Sequence, residues 1–185
     1  MKIAILVWGS LYWDPRDLNT TGEWFFNGPG LPIEFARISS ENRLTLVLKR
    51  DFDYVETLHT ISNHKNLNDA IENLAKREKA NNLNSIGYVD FTNGNSHVRE
   101  PNKFIIKILE DWNSNKNFDA VIWSDFAPRF TDRINKPFTI DNVISFLESL
   151  PENEKKGALE YIEKTPKQIS TRFRNNIERH FFQKD

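Results

Sequence analysis

The chain opens on an unbroken apolar run, Ile3-Ala4-Ile5-Leu6-Val7, which stops at Trp8-Gly9-Ser10-Leu11 and the polar, proline-containing Tyr12-Trp13-Asp14-Pro15. A short apolar run bounded by turn residues predicts a buried strand. Pro32 to Ile38 alternates apolar and polar positions and predicts a half-buried strand. Glu34 on that strand faces either solvent, the favoured side, or the interior, while Arg37 is in phase with Ile33 and Phe35. After the polar turn Ser39-Ser40-Glu41-Asn42, the run Arg43 to Lys49 is suited to pair back as a hairpin. Tyr54 to Thr60 and Ser85 to Phe91 alternate again, and Ala120-Val121-Ile122-Trp123 adds one more short apolar run.

Helical spacing first appears from Leu67 to Ala80, with Asn66 or Asn68 as the cap whose side-chain oxygen accepts from first-turn N–H groups. A second helix is predicted from Asn102 to Asn113, with Phe104, Ile105, Ile108, Leu109 and Trp112 on one stripe. The tail reads as three further helices. One runs from Asp141 to Leu150, one starts at Pro151 and is stopped by Pro166, and the last is capped by Ser170 or Thr171 and carries Phe173, Ile177 and Phe181.

Strands mixed with single helices and followed by a helical tail place the chain in the α+β class, as a closed or strongly curved sheet with flanking helices. No GxGxxG or GxxxxGK[ST] occurs, which removes the usual nucleotide fingerprints. At 185 residues one domain is expected, with residues 1–135 forming the sheet body and 136–185 a helical extension packed on it. Fourteen Phe and five Trp supply enough apolar surface for a core without metals or disulfides. The absence of Cys excludes thiol nucleophiles and thiolate metal sites and fits a reducing compartment, so a cytoplasmic location is expected. No apolar run is long enough to span a bilayer, and the first residues do not read as a signal peptide.

A net charge of −1 gives no global attraction for nucleic acid or membrane, and neither is expected as a partner. The tail is locally basic: from Lys155 onward eight Lys or Arg face four acids, with Phe173, Phe181 and Phe182 interleaved. This pattern reads either as a surface for an anionic partner or, preferably, as a solvated helix face above an apolar seam.

Two features carry candidate chemistry. Gly9 permits backbone angles closed to other residues, so the N–H groups of Gly9, Ser10 and Leu11 can converge on an anion or carbonyl oxygen; the alternative is a plain serine-capped turn. In the helix from Leu67, the positions Leu67, Ile71, Leu74 and Glu78 follow spacings of four, three and four, so Glu78 continues the apolar stripe. A carboxylate there is a candidate general base, or else it emerges at the helix end or pairs with an arginine such as Arg37. Ser10 lacks the second glycine of a GxSxG elbow, and His59, His64, His97 and His180 show neither HxxxH nor HExxH spacing, so no metal site is expected.

Taken together, the loop Trp8-Gly9-Ser10-Leu11 and the segment Leu74-Ala75-Lys76-Arg77-Glu78 resemble the Tyr-Gly-Ser-Asn or Tyr-Gly-Ser-Leu loop and the Leu-x-x-Arg-Glu segment of the γ-glutamylcyclotransferase-like family. The similarity covers roughly Met1 to Phe91. It departs at Trp8, where most members carry Tyr, and at Lys79, where many have Gly. The resemblance implies a small mixed β-barrel, no cofactor, and cyclisation of a γ-glutamyl amine or peptide to 5-oxoproline. Glu78 would be the general base, and Trp8, Gly9, Ser10 and Leu11 would bind substrate. Arg37 would contact the substrate carboxylate or Glu78. A different reading, favoured by Trp8 and Lys79, is a non-catalytic module that binds a small anion or a protein partner on the same scaffold.

Overall fold

Each apolar run read as a strand enters a sheet, but the strands divide between two sheets. The computed structural model describes residues 1–183, so Lys184 and Asp185 of the basic tail lie outside the described residues. The strands are β1 (Ile3–Val7), β2 (Gly30–Ile38), β3 (Leu44–Leu48), β4 (Tyr54–Glu56), β5 (Leu58–Ile61), β6 (Ile86–Asp90), β7 (Ser96–His97) and β8 (Ala120–Ser124). The helices are α1 (Leu67–Arg77), α2 (Ile105–Asn113), α3 (Phe130–Ile134), α4 (Ile140–Ser149), α5 (Glu152–Lys164) and α6 (Arg172–Phe181). The class is α+β.

The larger sheet has the order β5-β1-β8-β6-β7, and the smaller has the order β3-β2-β4. No closed ring of hydrogen-bonded strands forms among the described residues, which corrects the expectation of a barrel. The stretch Tyr54 to Thr60 shows why. Its alternation predicts one strand, yet β4 pairs with β2 in the smaller sheet and β5 pairs with β1 in the larger. Between them the buried Thr57 donates from Oγ1 to the Pro29 carbonyl at 2.8 Å, which satisfies its hydroxyl where the chain changes sheets. Residues of both sheets and of α1, α2 and α4 to α6 enter one hydrophobic core, so the segment after residue 135 shares the core of the segment before it.

The centre of the larger sheet is decisive for the site. β1 runs antiparallel to β5 but parallel to β8, with Ile3 opposite Ala120 and Ile5 opposite Ile122. The two strands therefore end on the same side of the sheet, β1 in the Trp8-Gly9-Ser10-Leu11 loop and β8 in Ser124 and the segment after it. The carboxyl ends of adjacent parallel strands are where open sheets place ligand crevices. Helix α1 packs on β8 and β6 and brings its last turn to the same end.

Strand β2 is buried on both faces over most of its length, contrary to the half-buried strand predicted for Pro32 to Ile38. Glu34 is 1% exposed. It accepts hydrogen bonds from Thr171 Oγ1 at 2.5 Å, from the Phe173 backbone at 3.1 Å and from the Phe35 backbone at 2.8 Å. The physical reason is the tail: α6 covers this strand, and the carboxylate accepts from one amide and one hydroxyl at the start of that helix.

The basic tail resolves as a solvated face over an apolar seam. Phe173 and Ile177 are buried, and Arg174 is also buried, donating to the carbonyls of Thr165, Pro166 and Ile169. Among the described residues, no helix is long and apolar enough to cross a membrane.

Candidate functional site

The end of α1 positions Glu78. Asn66 caps the helix start through Oδ1, accepting from the amides of Asn68 and Asp69. At the other end the Lys79 amide bonds the Lys76 carbonyl at 3.1 Å and the Ala80 amide bonds the Ala75 carbonyl at 2.9 Å, the paired closure of a Schellman motif. Lys79 takes φ 50°, a conformation that favours glycine. Glu78 is the last residue before that reversal, held at φ −77° and ψ −4°.

Its side chain is 16% exposed. Oε1 accepts from Ser124 Oγ at 2.8 Å and from Arg77 Nη1 at 3.2 Å. Among the described residues Oε2 has no hydrogen-bond partner. The arginine that holds Glu78 is thus its chain neighbour, not Arg37. Arg77, with a side chain only 3% exposed, also donates from Nη2 to Ser10 Oγ at 3.2 Å and to the Asp14 carbonyl at 2.5 Å. One guanidinium ties the helix end carrying Glu78 to the loop after β1.

That loop winds tightly: the Tyr12 amide bonds the Gly9 carbonyl at 3.0 Å and the Asp14 amide bonds the Ser10 carbonyl at 2.9 Å. The amides of Gly9 and Leu11 have no backbone acceptor among the described residues. The Tyr161 hydroxyl, from α5, lies so close to Gly9 that a Cβ there would sit 2.5 Å from it. Gly9 is therefore required for close approach of the phenol. Burial and the nearby Glu78 charge push the Tyr161 phenol up to about 12, against hydrogen bonding from the Ser10 backbone, so it stays a neutral donor. Trp8 is buried and donates from Nε1 to the Leu46 carbonyl at 3.4 Å, fastening the end of β1 to β3.

These parts line one cavity of about 460 Å³. All six residues singled out from the sequence, Trp8, Gly9, Ser10, Leu11, Arg37 and Glu78, reach it. Arg37 stacks on the Phe126 ring with its guanidinium carbon 4.7 Å from the centroid and donates to the Ala127 carbonyl at 3.3 Å. Burial, together with the neighbouring Arg129 and Arg99, pulls its pKa below the ordinary arginine range, while Glu78 acts in the opposite direction.

Tyr161, Arg77, Ser124, Arg99 and Arg129 also line the cavity and were missed in the sequence. Tyr161 had a legible trace, since it sits beside Ile162 in a helix whose buried residues are Ala158 and Ile162. Nothing in the local pattern marks Arg77 as buried.

No histidine lines the cavity among the described residues, so Ser10 has no imidazole beside it to act as its base. No group of His, Cys, Asp and Glu able to hold a metal ion occurs among the described residues. In comparisons with known proteins, the chain matches no family model, no curated protein and no solved structure.

Proposed function

We propose that the cavity catalyses intramolecular cyclisation of a γ-glutamyl amine or peptide, with Glu78 as general base. The observation that supports this reading most is the Glu78 carboxylate, with one oxygen fixed by Ser124 and Arg77 and the other without a partner, in a cavity also lined by Gly9 and Leu11, whose amides have no backbone acceptor among the described residues. Glu78 takes a proton from the α-ammonium group of the substrate. The freed nitrogen attacks the γ-carbonyl carbon, a five-membered lactam closes, the amide C–N bond breaks, and the leaving amine receives the proton. The products are 5-oxoproline and a free amine, with no water or cofactor consumed.

The Gly9 and Leu11 amides and the Tyr161 hydroxyl are the donors available to the substrate carboxylate or to the developing oxyanion. A well-placed donor of this kind is worth about 3 kcal/mol in the transition state. Folding the glutamyl chain so that its own amine meets its carbonyl supplies a further several kcal/mol. Tyr161 also offers the phenolic hydroxyl that Trp8 lacks. The barrel of the resembled family would correspond here to an open form, supported by the one core that both sheets share and by the β4–β5 run that feeds each of them.

The test is incubation with a panel of γ-glutamyl amines and dipeptides, reading 5-oxoproline release. Turnover is expected, with Glu78→Gln lowering it by about 10²- to 10⁴-fold. Thermal stabilisation by these compounds with no 5-oxoproline from any of them would instead establish the second reading, an anion-binding module. The excess of arginine over acid in the cavity wall is the observation in its favour.

A further inference from the structure

Beyond the groups that this reaction uses, the cavity carries a second wall made of Arg37, Arg99 and Arg129. All three are organised by the segment that continues β8 past Ser124. The Asp125 carbonyl accepts from Arg99 Nε at 2.8 Å. The Phe126 ring and Ala127 carbonyl take Arg37, and Arg129 itself opens α3. The same strand end therefore fixes Glu78 through Ser124 and, within the next few residues, gathers three guanidinium groups.

No carboxylate lies within ion-pair distance of any of the three among the described residues, whereas Arg16, Arg43, Arg77, Arg172 and Arg174 each have such a partner. Asp125 lies beside Arg99, yet its Oδ2 accepts from the Arg99 backbone amide at 2.6 Å, and the Arg99 Nε donates to the Asp125 carbonyl instead of to the carboxylate. Guanidinium groups cannot shed their charge to relieve mutual repulsion. Three of them facing one cavity are stable together when an anion enters between them.

The geometry points to a subsite for a phosphate monoester on the leaving-amine side of the substrate, so that the natural substrate class is a γ-glutamyl derivative of a phosphorylated amine. A phosphate presents several terminal oxygens around a tetrahedral centre and can engage three guanidinium groups at once. A single carboxylate, with two oxygens in one plane, is already matched by one arginine fork. This assignment rests on the cyclisation reading for the identity of the substrate, but not for the existence of the anion site.

The experiment uses the full chain and two readouts. In calorimetric titration with O-phosphoethanolamine, binding is expected to weaken at least 10-fold in Arg129→Gln, an exposed position where folding is not at stake, and again in Arg37→Gln. Glu78→Gln removes no donor to the phosphate, so this binding should persist. In the turnover assay, γ-glutamyl-phosphoethanolamine should exceed γ-glutamyl-ethanolamine at least 10-fold in kcat/KM. Phosphoethanolamine binding with no turnover of either compound would sink the cyclisation reading and keep the subsite. Equal turnover of the two compounds, or phosphoethanolamine binding that is absent or indifferent to both arginine changes, overturns the subsite, and 5-oxoproline release from either compound then keeps the cyclisation reading.

Discussion

Ser124 Oγ donates to Glu78 Oε1 at 2.8 Å, joining the last residue of the central parallel strand to the acid that closes α1. This bond aims the carboxylate. Removing it in Ser124→Ala is expected to lower 5-oxoproline release about 10-fold while costing about 1 kcal/mol of stability, since one hydrogen bond to a charged group is lost and Arg77 remains. Steady-state kinetics beside a denaturant melt separates the two effects.

Gly9 and Tyr161 form a matched pair. Gly9→Ala places a methyl group where the phenolic oxygen sits, so either the loop or α5 must shift, at a cost of about 1–3 kcal/mol. Tyr161→Phe removes the oxygen that the methyl group strikes. The double variant is therefore expected to be more stable than the sum of the single changes, and a double-mutant cycle by urea unfolding measures the recovery.

Lys79 occupies the left-handed position after α1 with φ 50°. A side chain there costs roughly 1 kcal/mol relative to glycine. Lys79→Gly is expected to raise the melting temperature by a few degrees, partly offset by the greater freedom of glycine in the unfolded chain, with Glu78 left in place.

Glu34 accepts three hydrogen bonds while buried beneath α6. Glu34→Ala leaves the Phe173 amide and the Thr171 hydroxyl without an acceptor and is expected to cost about 2–4 kcal/mol, read by chemical denaturation. Burial raises its pKa above the usual 4.5 in spite of these bonds. The penalty of ionising it in the folded state is absent below about pH 4.5 and grows as pH rises through the raised value. The melting temperature of Glu34→Gln relative to the parent should accordingly climb over that window.

His59 is buried in an aromatic box, stacked on Phe25 at 4.9 Å and edge-on to Trp112 and Phe118. Burial, with help from Lys116 and Lys2, lowers its pKa from 6.5 to about 4. The unfolded chain then takes a proton that the folded chain refuses, so stability is intact above pH 6.5 and is lost as pH falls toward 4, by on the order of 2–3 kcal/mol. His59→Phe, which keeps the aromatic packing, should show a shallower loss of melting temperature across this range.

Where the signal was local, it was legible. The first apolar run became β1, the Asn66 cap starts α1, the stripe through Leu67, Ile71 and Leu74 ends in a cavity-facing Glu78, and Thr171 caps α6. Each follows from forces acting within a few residues: strand and helix periodicity, an amide without a partner, a glycine in a turn. Tertiary structure decided the rest, because it depends on which distant surfaces meet. Glu34 turned inward for a helix 137 positions away, and Tyr161 came from the tail to complete a loop at the start of the chain. Arg77 was buried by its bonds to Ser10 and Asp14, more than sixty residues earlier. The arginine wall arose because the segment after β8 meets Arg37 of β2 and Arg99 from the loop before α2, and no spacing within any one of these segments encodes that meeting.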